Sequence, residues 1–211
     1  HAITSYAFGN HDNPRIVTRL GEEDARSAAV LQMTLPGMAI IYYGDEIGMR
    51  SAELPADAIR DTYYKSRDPE RTPMQWSAAS NAGFSHANQT WLPVDADYPR
   101  CNVEMQQDDP GSFYNLYRKL ILLRTTMPAL RYGAFVVLEV QNPNVLCFVR
   151  TEKDERCIVL MNFSDQPASC VPGIPLRKLL LSSKLETELT DLAKSVDGHI
   201  ELLPHEAALF M

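Results

Sequence analysis

Two apolar runs, over residues 4–8 and 38–43, flank an alanine-rich stretch over residues 25–35. The acidic residues 22–24 stand just before that stretch, and acidic side chains in a first turn complement the helix dipole. Pro36-Gly37 then ends the predicted helix. The second apolar run is short and continuous, which is typical of a strand covered on both faces in a parallel sheet. Strand, helix and strand in this order predict a βαβ unit.

The middle of the chain, residues 50–109, has no strong hydrophobic period. Pro, Gly, Asn, Asp and Ser are frequent there, and the aromatic residues are scattered. A structureless stretch of this length is uncommon unless it is functional. We therefore expect a long functional loop.

A second helix follows the loop. Asp109-Pro110 is typical of an N-cap followed by proline at the first helical position. Apolar residues then recur at helical spacing, which predicts an amphipathic helix to about Thr126, ended by Pro128.

After Gly133 the pattern changes to short β-rich runs separated by polar turns, at residues 135–138, 145–149 and 157–161. The last two runs predict a hairpin centred near Glu152-Lys153. This pattern predicts a small antiparallel β domain at the C-terminal end.

The chain has 211 residues, 45% of them hydrophobic, which suffices for a sizeable core in one or two domains. Its net charge of −7 argues against a nucleic-acid partner, since no basic stripe is available to neutralise phosphate. The charge is compatible with a neutral, sugar-like substrate, but most acidic proteins have a similar charge. No apolar run approaches the ~18 residues of a membrane span, so we expect no membrane partner.

The N-terminus has no signal-peptide pattern, and the chain begins at His1 and enters a strand almost at once. We interpret the chain as the C-terminal part of a longer protein, which leaves its compartment open. No Cys-x-x-Cys pair among the four cysteines indicates zinc or redox chemistry. Cys147 and Cys157 would stand roughly opposite in the hairpin, either as a disulfide or as two small buried hydrophobic residues.

Three blocks carry the strongest functional signal: Asn10-His11-Asp12 after the first apolar run, Pro36 to Met49 (PGMAIIYYGDEIGM), and Ser66 to Trp76 (SRDPERTPMQW). Alone, an Asn-His-Asp tripeptide is usually a polar turn. In this order and at these separations the three blocks resemble the C-terminal half of an α-glucosidase of the α-amylase superfamily, in its oligo-1,6-glucosidase and maltase branch. The resemblance covers nearly the whole chain.

The resemblance implies an α/β fold: the C-terminal part of a (β/α)8 TIM barrel followed by a small antiparallel β-sandwich domain. Residues 1–130 would hold the seventh and eighth βα units, with the long loop after the eighth strand, where barrel enzymes build their sites. Residues 131–211 would form the β domain.

The implied reaction is hydrolysis of terminal α-linked glucose from short oligosaccharides with retention, and it requires no cofactor and no metal. A retaining glycosidase uses a nucleophilic carboxylate and a carboxylic acid about 5 Å apart. Asp12 matches a third carboxylate of the family, which stabilises the transition state through the 2- and 3-hydroxyls of the glucose. His11 matches a histidine that donates to a hydroxyl of the same sugar.

Arg67 matches an arginine that closes the bottom of the glucose pocket and pairs there with an aspartate of an early loop, absent from this chain. A closed pocket makes an exo-acting enzyme, which removes one terminal glucose at a time. Arg15 matches an arginine that lines the substrate cleft, or else it is a structural arginine. Asp45 and Glu46 are adjacent and make a poor catalytic pair, because neighbours on an extended chain point in opposite directions.

The family's nucleophile and general acid follow its fourth and fifth strands, which this sequence does not contain. We therefore expect the 211 residues alone to be inactive. Same-scaffold alternatives are an isomaltase, a trehalose-phosphate hydrolase or a transglycosylating sucrose or trehalose enzyme. Another class is a non-catalytic relative such as the heavy chain of an amino-acid transporter, against which the intact Asn10-His11-Asp12 and Arg67 argue.

Overall fold

A computed structural model describes residues 4–63, 65–184 and 198–211. The chain divides into two compact units: one holds His1–Tyr6, Arg26–Ala39 and Leu116–Met211, and the other holds Ala7–Ala25 and Ile40–Asn115. This division is discontinuous along the chain, whereas the expected boundary at residue 130 is a single cut. That domain boundary stays a prediction.

Among its described residues, the first half contains two short strands, three helices and several single 3-10 turns. In chain order the strands and helices are β1 Ser5–Ala7, α1 Ile16–Leu20, α2 Glu22–Thr34, β2 Met38–Ile40 and α3 Val103–Gln107. The 3-10 turns lie at Asp45–Ile47, Ala56–Ala58, Asp68–Glu70 and Ser80–Gly83.

The second half contains two helices and seven strands among the described residues. They are α4 Phe113–Thr126, α5 Pro128–Tyr132, β3 Ala134–Leu138, β4 Val145–Glu152, β5 Glu155–Asn162, β6 Ala168–Cys170, β7 Leu179–Ser182, β8 Ile200–Leu202 and β9 Ala207–Phe210.

The first strand–helix–strand segment has the order expected from the sequence. Strands β1 and β2 are neighbours in a two-stranded sheet, and the backbone N–H of Met38 donates to the carbonyl of Thr4 at 2.8 Å. Helix α2 carries three acidic residues in its first turn, as predicted, and ends at Thr34, whose hydroxyl donates to the Val30 carbonyl. The predicted helix is therefore confirmed.

Helix α4 starts three residues later than predicted. The Asp109 carboxylate accepts from the backbone N–H of Gly111 at 2.9 Å, which closes a local turn rather than capping a helix. Ser112 takes the capping role, because its hydroxyl oxygen accepts from the N–H of Asn115 at 3.2 Å. The predicted N-cap at Asp109 is wrong, while the predicted end at Thr126 is correct.

The C-terminal strands form two sheets around one apolar core. A five-stranded antiparallel sheet has the order β3-β4-β5-β9-β7, and a two-stranded sheet pairs β6 with β8. Buried side chains of both sheets share one cluster, which includes Val149, Leu160, Cys170, Leu202 and Phe210. Two sheets that bury their inner faces against each other make a β-sandwich.

The hairpin of β4 and β5 is confirmed, but its turn lies slightly further along the chain. Glu152 pairs with Glu155, and Lys153 in the turn has a φ of 52°. Cys147 therefore stands opposite Leu160, and Cys157 stands opposite Arg150. All four cysteines are free, so the two hairpin cysteines are buried small residues and not a disulfide.

Arg150 is an almost fully buried arginine of β4. Its guanidinium donates to the carbonyl of Thr34 at 2.6 Å and to that of Gly133 at 2.9 Å, and burial lowers its pKa. Arg150 thereby caps the C-terminal ends of α2 and α5, where helices leave backbone carbonyls without partners.

We expect Arg150→Met to lower the free energy of unfolding by about 3 kcal/mol, because two buried carbonyls lose their donors. The measurement is chemical denaturation of the whole protein. Arg156→Met, on the exposed face of β5, is the matched control and is expected to leave stability unchanged. Equal midpoints for both variants would contradict this account of Arg150.

Candidate active site

Asn10 shapes the tight turn that follows β1. Its side-chain oxygen accepts from the backbone N–H of Asp12 at 2.8 Å and of Asn13 at 3.0 Å. Asparagine commonly closes turns in this way through its own side chain. The turn leaves the Asp12 side chain half exposed and directed toward two arginines.

The Asp12 carboxylate accepts from two arginines through one of its oxygens. Its Oδ1 accepts from Arg67 Nη1 at 3.0 Å and from Arg71 Nη2 at 3.2 Å. His11 Nε2 lies 3.5 Å from the other oxygen, Oδ2, and Arg71 Nε donates to the His11 carbonyl at 3.0 Å. The two guanidinium groups fix the orientation of the carboxylate, while Oδ2 has the His11 ring as its neighbour.

Arg67 is held between two carboxylates. Its Nε donates to Asp61 Oδ2 at 2.7 Å, its Nη2 donates to Asp61 Oδ1 at 3.2 Å, and its Nη1 reaches Asp12. The ring of Tyr63 lies 4.8 Å from its Cζ. A planar guanidinium is suited to this forked arrangement, and its hydrogen bonds hold the pKa of Asp61 well below the usual range.

Within the described residues, Arg67 pairs with Asp61, six positions earlier in the same loop. The pairing expected with an aspartate of an early loop, which lies outside this chain, stays a prediction. Asp61 is itself fixed by the buried Asp68, whose carboxylate accepts from the backbone N–H groups of Arg60 and Asp61. Arg71 was also missed as a site residue, although it lies inside the SRDPERTPMQW block.

Arg15 is the one candidate that the structure does not bring to Asp12. Its side chain is fully buried, and its Nη1 donates to the Tyr43 carbonyl at 2.6 Å. The rings of Tyr42 and Tyr43 lie 5.2 and 4.7 Å from its Cζ, and its backbone N–H donates to the Ser51 hydroxyl. Its predicted contact with substrate has no support in this arrangement, because no part of the side chain is accessible.

The adjacent carboxylates Asp45 and Glu46 have separate surroundings, as expected for a pair that does not act together. Asp45 is buried, accepts from the N–H of Tyr42 at 3.2 Å, and lies against Gly9, where any Cβ would meet its carboxylate at 2.3 Å. Glu46 is partly exposed and accepts from the N–H of Gly44 at 2.8 Å. Burial raises the pKa of Asp45 to about 6 and also raises that of Glu46.

The raised pKa of Asp45 predicts a stability that falls with rising pH. The folded state binds more protons than the unfolded state between about pH 4, near the unfolded pKa of aspartate, and about pH 6. The stabilising contribution is complete below that window and is lost as the pH rises through about 6. Burial of Asp97 raises its pKa too and adds to the same slope.

We therefore expect Asp45→Asn to flatten the fall of unfolding free energy between about pH 4 and 6. The measurement is the denaturation midpoint as a function of pH. Asp57→Asn, at an exposed position of the same loop region, is the control and should keep the parental slope. An unchanged slope in Asp45→Asn would contradict the assignment.

No group of three or more His, Cys, Asp or Glu side chains in residues 4–63, 65–184 and 198–211 is arranged to hold a metal ion. Within the same ranges, no helix has the length and apolar character that crossing a bilayer requires.

Two family models match parts of the chain. Residues 1–133 match the family described as alpha amylase, catalytic domain. Residues 135–171 match the maltogenic amylase C-terminal domain.

Curated relatives include glucosidases and amino acid transporter heavy chains. Maltase 1 of Drosophila virilis is 37% identical over 96% of this chain and 34% of the relative. Oligo-1,6-glucosidase of Parageobacillus thermoglucosidasius is 32% identical over 98% of this chain and 42% of the relative. The mouse amino acid transporter heavy chain SLC3A1 is 36% identical over 76% of this chain and 23% of the relative. The chain thus spans less than half the length of these relatives.

Solved structures show the same fold. Trehalulose synthase MutB from Pseudomonas mesoacidophila MX-45 superposes with a TM-score of 0.81 at 28% identity, over 98% of this chain and 42% of that one. Isomaltulose synthase PalI from Klebsiella sp. LX3 superposes with a TM-score of 0.81 at 26% identity, again over 98% and 42%. The expected fold class is confirmed: the C-terminal part of a (β/α)8 barrel followed by an antiparallel β-sandwich domain.

Proposed function

The chain belongs to the α-amylase family of glycoside hydrolases, and from that premise we propose that it supplies part of the active site of a retaining, exo-acting α-glucosidase. In this proposal the whole protein releases terminal α-linked glucose from short oligosaccharides. Asp12 stabilises the transition state, while His11 and Arg67 bind the terminal sugar. Residues 1–130 complete the catalytic barrel, and residues 131–211 form the C-terminal β domain.

The observation that carries the proposal is that two arginines bind the same oxygen of Asp12. Arg67 and Arg71 both donate to Oδ1, while Oδ2 lies beside His11, and in this proposal Oδ2 accepts hydrogen bonds from two neighbouring sugar hydroxyls. Such bonds are short and strong when the acceptor is ionised. They increase the rate only as far as they tighten when positive charge develops on the sugar ring.

Arg67 is the residue on which the proposed exo-action rests. The guanidinium is anchored by Asp61 and ends at Asp12, so it forms a fixed wall beside the carboxylate. A sugar chain bound against that wall places only its terminal unit at Asp12. The nucleophile and the general acid lie outside these 211 residues in this proposal, and the chain alone is inactive.

Two alternative functions have specific support. The likeness to trehalulose and isomaltulose synthases favours a transglycosylating sucrose enzyme on the same scaffold. The likeness to the transporter heavy chain SLC3A1 favours a non-catalytic assembly role. The Asp12–Arg67 arrangement favours catalysis over the second of these.

The test is incubation of the whole protein with maltose, isomaltose and sucrose, followed in real time by proton NMR. The proposal predicts free glucose released first as the α-anomer, as retention requires. Isomerised disaccharides from sucrose would indicate the transglycosylating enzyme instead. No turnover of any of the three sugars would contradict the proposal and favour the assembly role.

A further inference from the structure

Tyr42 and Tyr43 follow strand β2, and one buried cation lies against both of their rings. The Arg15 guanidinium carbon is 5.2 Å from the ring centre of Tyr42 and 4.7 Å from that of Tyr43. Its Nη1 also donates to the Tyr43 carbonyl at 2.6 Å. A cation is attracted to the face of an aromatic ring, and more strongly where water is excluded. Because Arg15 is fully buried, it fixes the direction of both tyrosine side chains.

The hydroxyl groups of this tyrosine pair bind the backbone on both sides of Arg71. Tyr42 Oη donates to the Glu70 carbonyl at 3.1 Å, and Tyr43 Oη donates to the Thr72 carbonyl at 2.7 Å. Burial raises the pKa of Tyr42 above its usual range, so its hydroxyl keeps its proton at neutral pH. The loop backbone is therefore held at the residue before Arg71 and at the residue after it.

A serine joins the same two parts of the chain at a third point. Ser51 Oγ accepts from the backbone N–H of Arg15 at 2.9 Å and donates to Glu70 Oε1 at 3.2 Å. The Glu70 side chain is buried, and a satisfied network of buried hydrogen bonds is rigid. The backbone that leaves the Asp12 turn is thus tied to the loop at Glu70.

Arg71 is the residue through which this network reaches the site. Its Nη2 donates to Asp12 Oδ1 at 3.2 Å, and its Nε donates to the His11 carbonyl at 3.0 Å. Its side chain is 30% exposed, and a long, rotamer-rich side chain loses entropy when it is held in one position. Both contacts also weaken steeply with poor geometry. A fixed backbone at Arg71 is therefore what allows its guanidinium to meet both acceptors at once.

We propose that Tyr42 and Tyr43 are positioning residues, which fix the backbone around Arg71 so that its guanidinium holds Asp12 in the orientation that the reaction requires. Arg15 has a role in this arrangement although it does not reach Asp12, because it supports the tyrosine pair from the buried side. The effect on catalysis rests on the proposed function. The effect on the position of Arg71 does not.

The first test is the kinetics of Tyr43→Phe, which removes one hydroxyl and keeps the ring against Arg15. We expect kcat/KM of the whole protein for maltose to fall by about tenfold, mainly through kcat, because a misplacement of about 1 Å at a positioning group can cost a hundredfold. Tyr42→Phe should have a smaller effect in the same direction, since its bond is longer. Tyr132→Phe, at an exposed tyrosine of α5, is the matched control and should keep the parental rate. Parental kinetics in Tyr43→Phe would overturn the inference.

A double-mutant cycle distinguishes positioning from a general structural role. Tyr43→Phe is introduced into a protein that already carries Arg71→Met. Residues that act through one another are not additive, so the further loss of kcat/KM in this background should be less than about twofold. A loss by the same factor in both backgrounds would show that Tyr43 does not act through Arg71, and the inference would be wrong.

A spectroscopic measurement reports the position of Arg71 without turnover. The whole protein is labelled with ¹⁵N at the arginine Nε atoms, and the Arg71 signal is assigned from its absence in Arg71→Lys. Its Nε–H should exchange slowly with water, because it donates to the His11 carbonyl. Tyr43→Phe should remove this protection, and Tyr132→Phe should leave it unchanged.

The spectroscopic result also separates this inference from the proposed function. Loss of Arg71 protection in Tyr43→Phe, in a protein that hydrolyses no sugar, would leave the positioning role standing and defeat the proposed function. Normal hydrolysis with Arg71 protection that does not depend on Tyr43 would defeat the inference alone.

Discussion

Replacing Asp12 by Asn in the whole protein is expected to lower kcat by about a thousandfold or more, comparable with the loss of a strong electrostatic contact in a transition state. The amide keeps the size of the side chain and one oxygen for Arg67 and Arg71. It removes the negative charge that the developing oxocarbenium ion requires. Substrate binding should change much less than kcat, because the stabilisation is realised mainly in the transition state.

The control for this substitution is Asp154→Asn, at an exposed position in the turn between β4 and β5. It removes the same charge from the same protein and should keep the parental kcat. Both variants should show the parental melting temperature within a few degrees. A near-normal kcat in Asp12→Asn would show that Asp12 has no catalytic role.

Arg67→Ala is expected to lower kcat/KM for small α-glucosides by about a hundredfold, as the loss of one fixed charged donor does in comparable sites. The substitution leaves Asp61 without its forked partner and removes one of the two guanidinium groups that bind Asp12. Activity on starch should not rise, because the remaining rim of the pocket stays in place. The measurement is steady-state kinetics on maltose and isomaltose beside an assay on soluble starch.

Arg131→Ala is a closely matched control for Arg67. Each guanidinium lies 4.8 Å from the ring of a neighbouring tyrosine, Tyr132 for Arg131 and Tyr63 for Arg67. Arg131 lies in α5, and its side chain contacts neither Asp12 nor Asp61 in the structure. Loss of activity in both variants would indicate a general effect of removing a surface arginine and would contradict the specific role of Arg67.

The elements with strong local signals were predictable from the sequence. The β4–β5 hairpin carries its signal in two short apolar runs separated by a polar turn, and helix α2 carries its signal in an acidic first turn. Errors arose where two local signals compete. Asp109 is followed by Pro, as an N-cap often is, yet its carboxylate closes a turn and Ser112 caps the helix instead.

The long loop could not be derived from periodicity, because buried polar contacts between distant positions order it. Gln75 is fully buried, and its side-chain amide donates to Asp97 and to the Cys101 carbonyl, both at 2.7 Å. Buried polar groups need such partners. Nothing in the local sequence indicates which partner a given side chain will find.

In the candidate site, too, the local sequence did not indicate which partner each side chain finds. Asp12, His11 and Arg67 were identified through the three sequence blocks, and the structure brings them together. Asp61 has no distinguishing sequence signal among the acidic residues of its loop, and only the fold shows that it anchors Arg67. The sequence also did not show that the Arg15 side chain is inaccessible, because its burial depends on Tyr42 and Tyr43, nearly thirty positions away.

The central claim is that the Asp12–Arg67 site holds a single terminal glucose, and product analysis tests it most directly. The whole protein is mixed with a long maltooligosaccharide such as maltoheptaose, and the products of the first few per cent of turnover are separated by chromatography. The account predicts glucose and the sugar shortened by one unit, with nothing of intermediate length. Maltose and longer fragments at the earliest times would mean an open cleft and would contradict the assignment of Arg67.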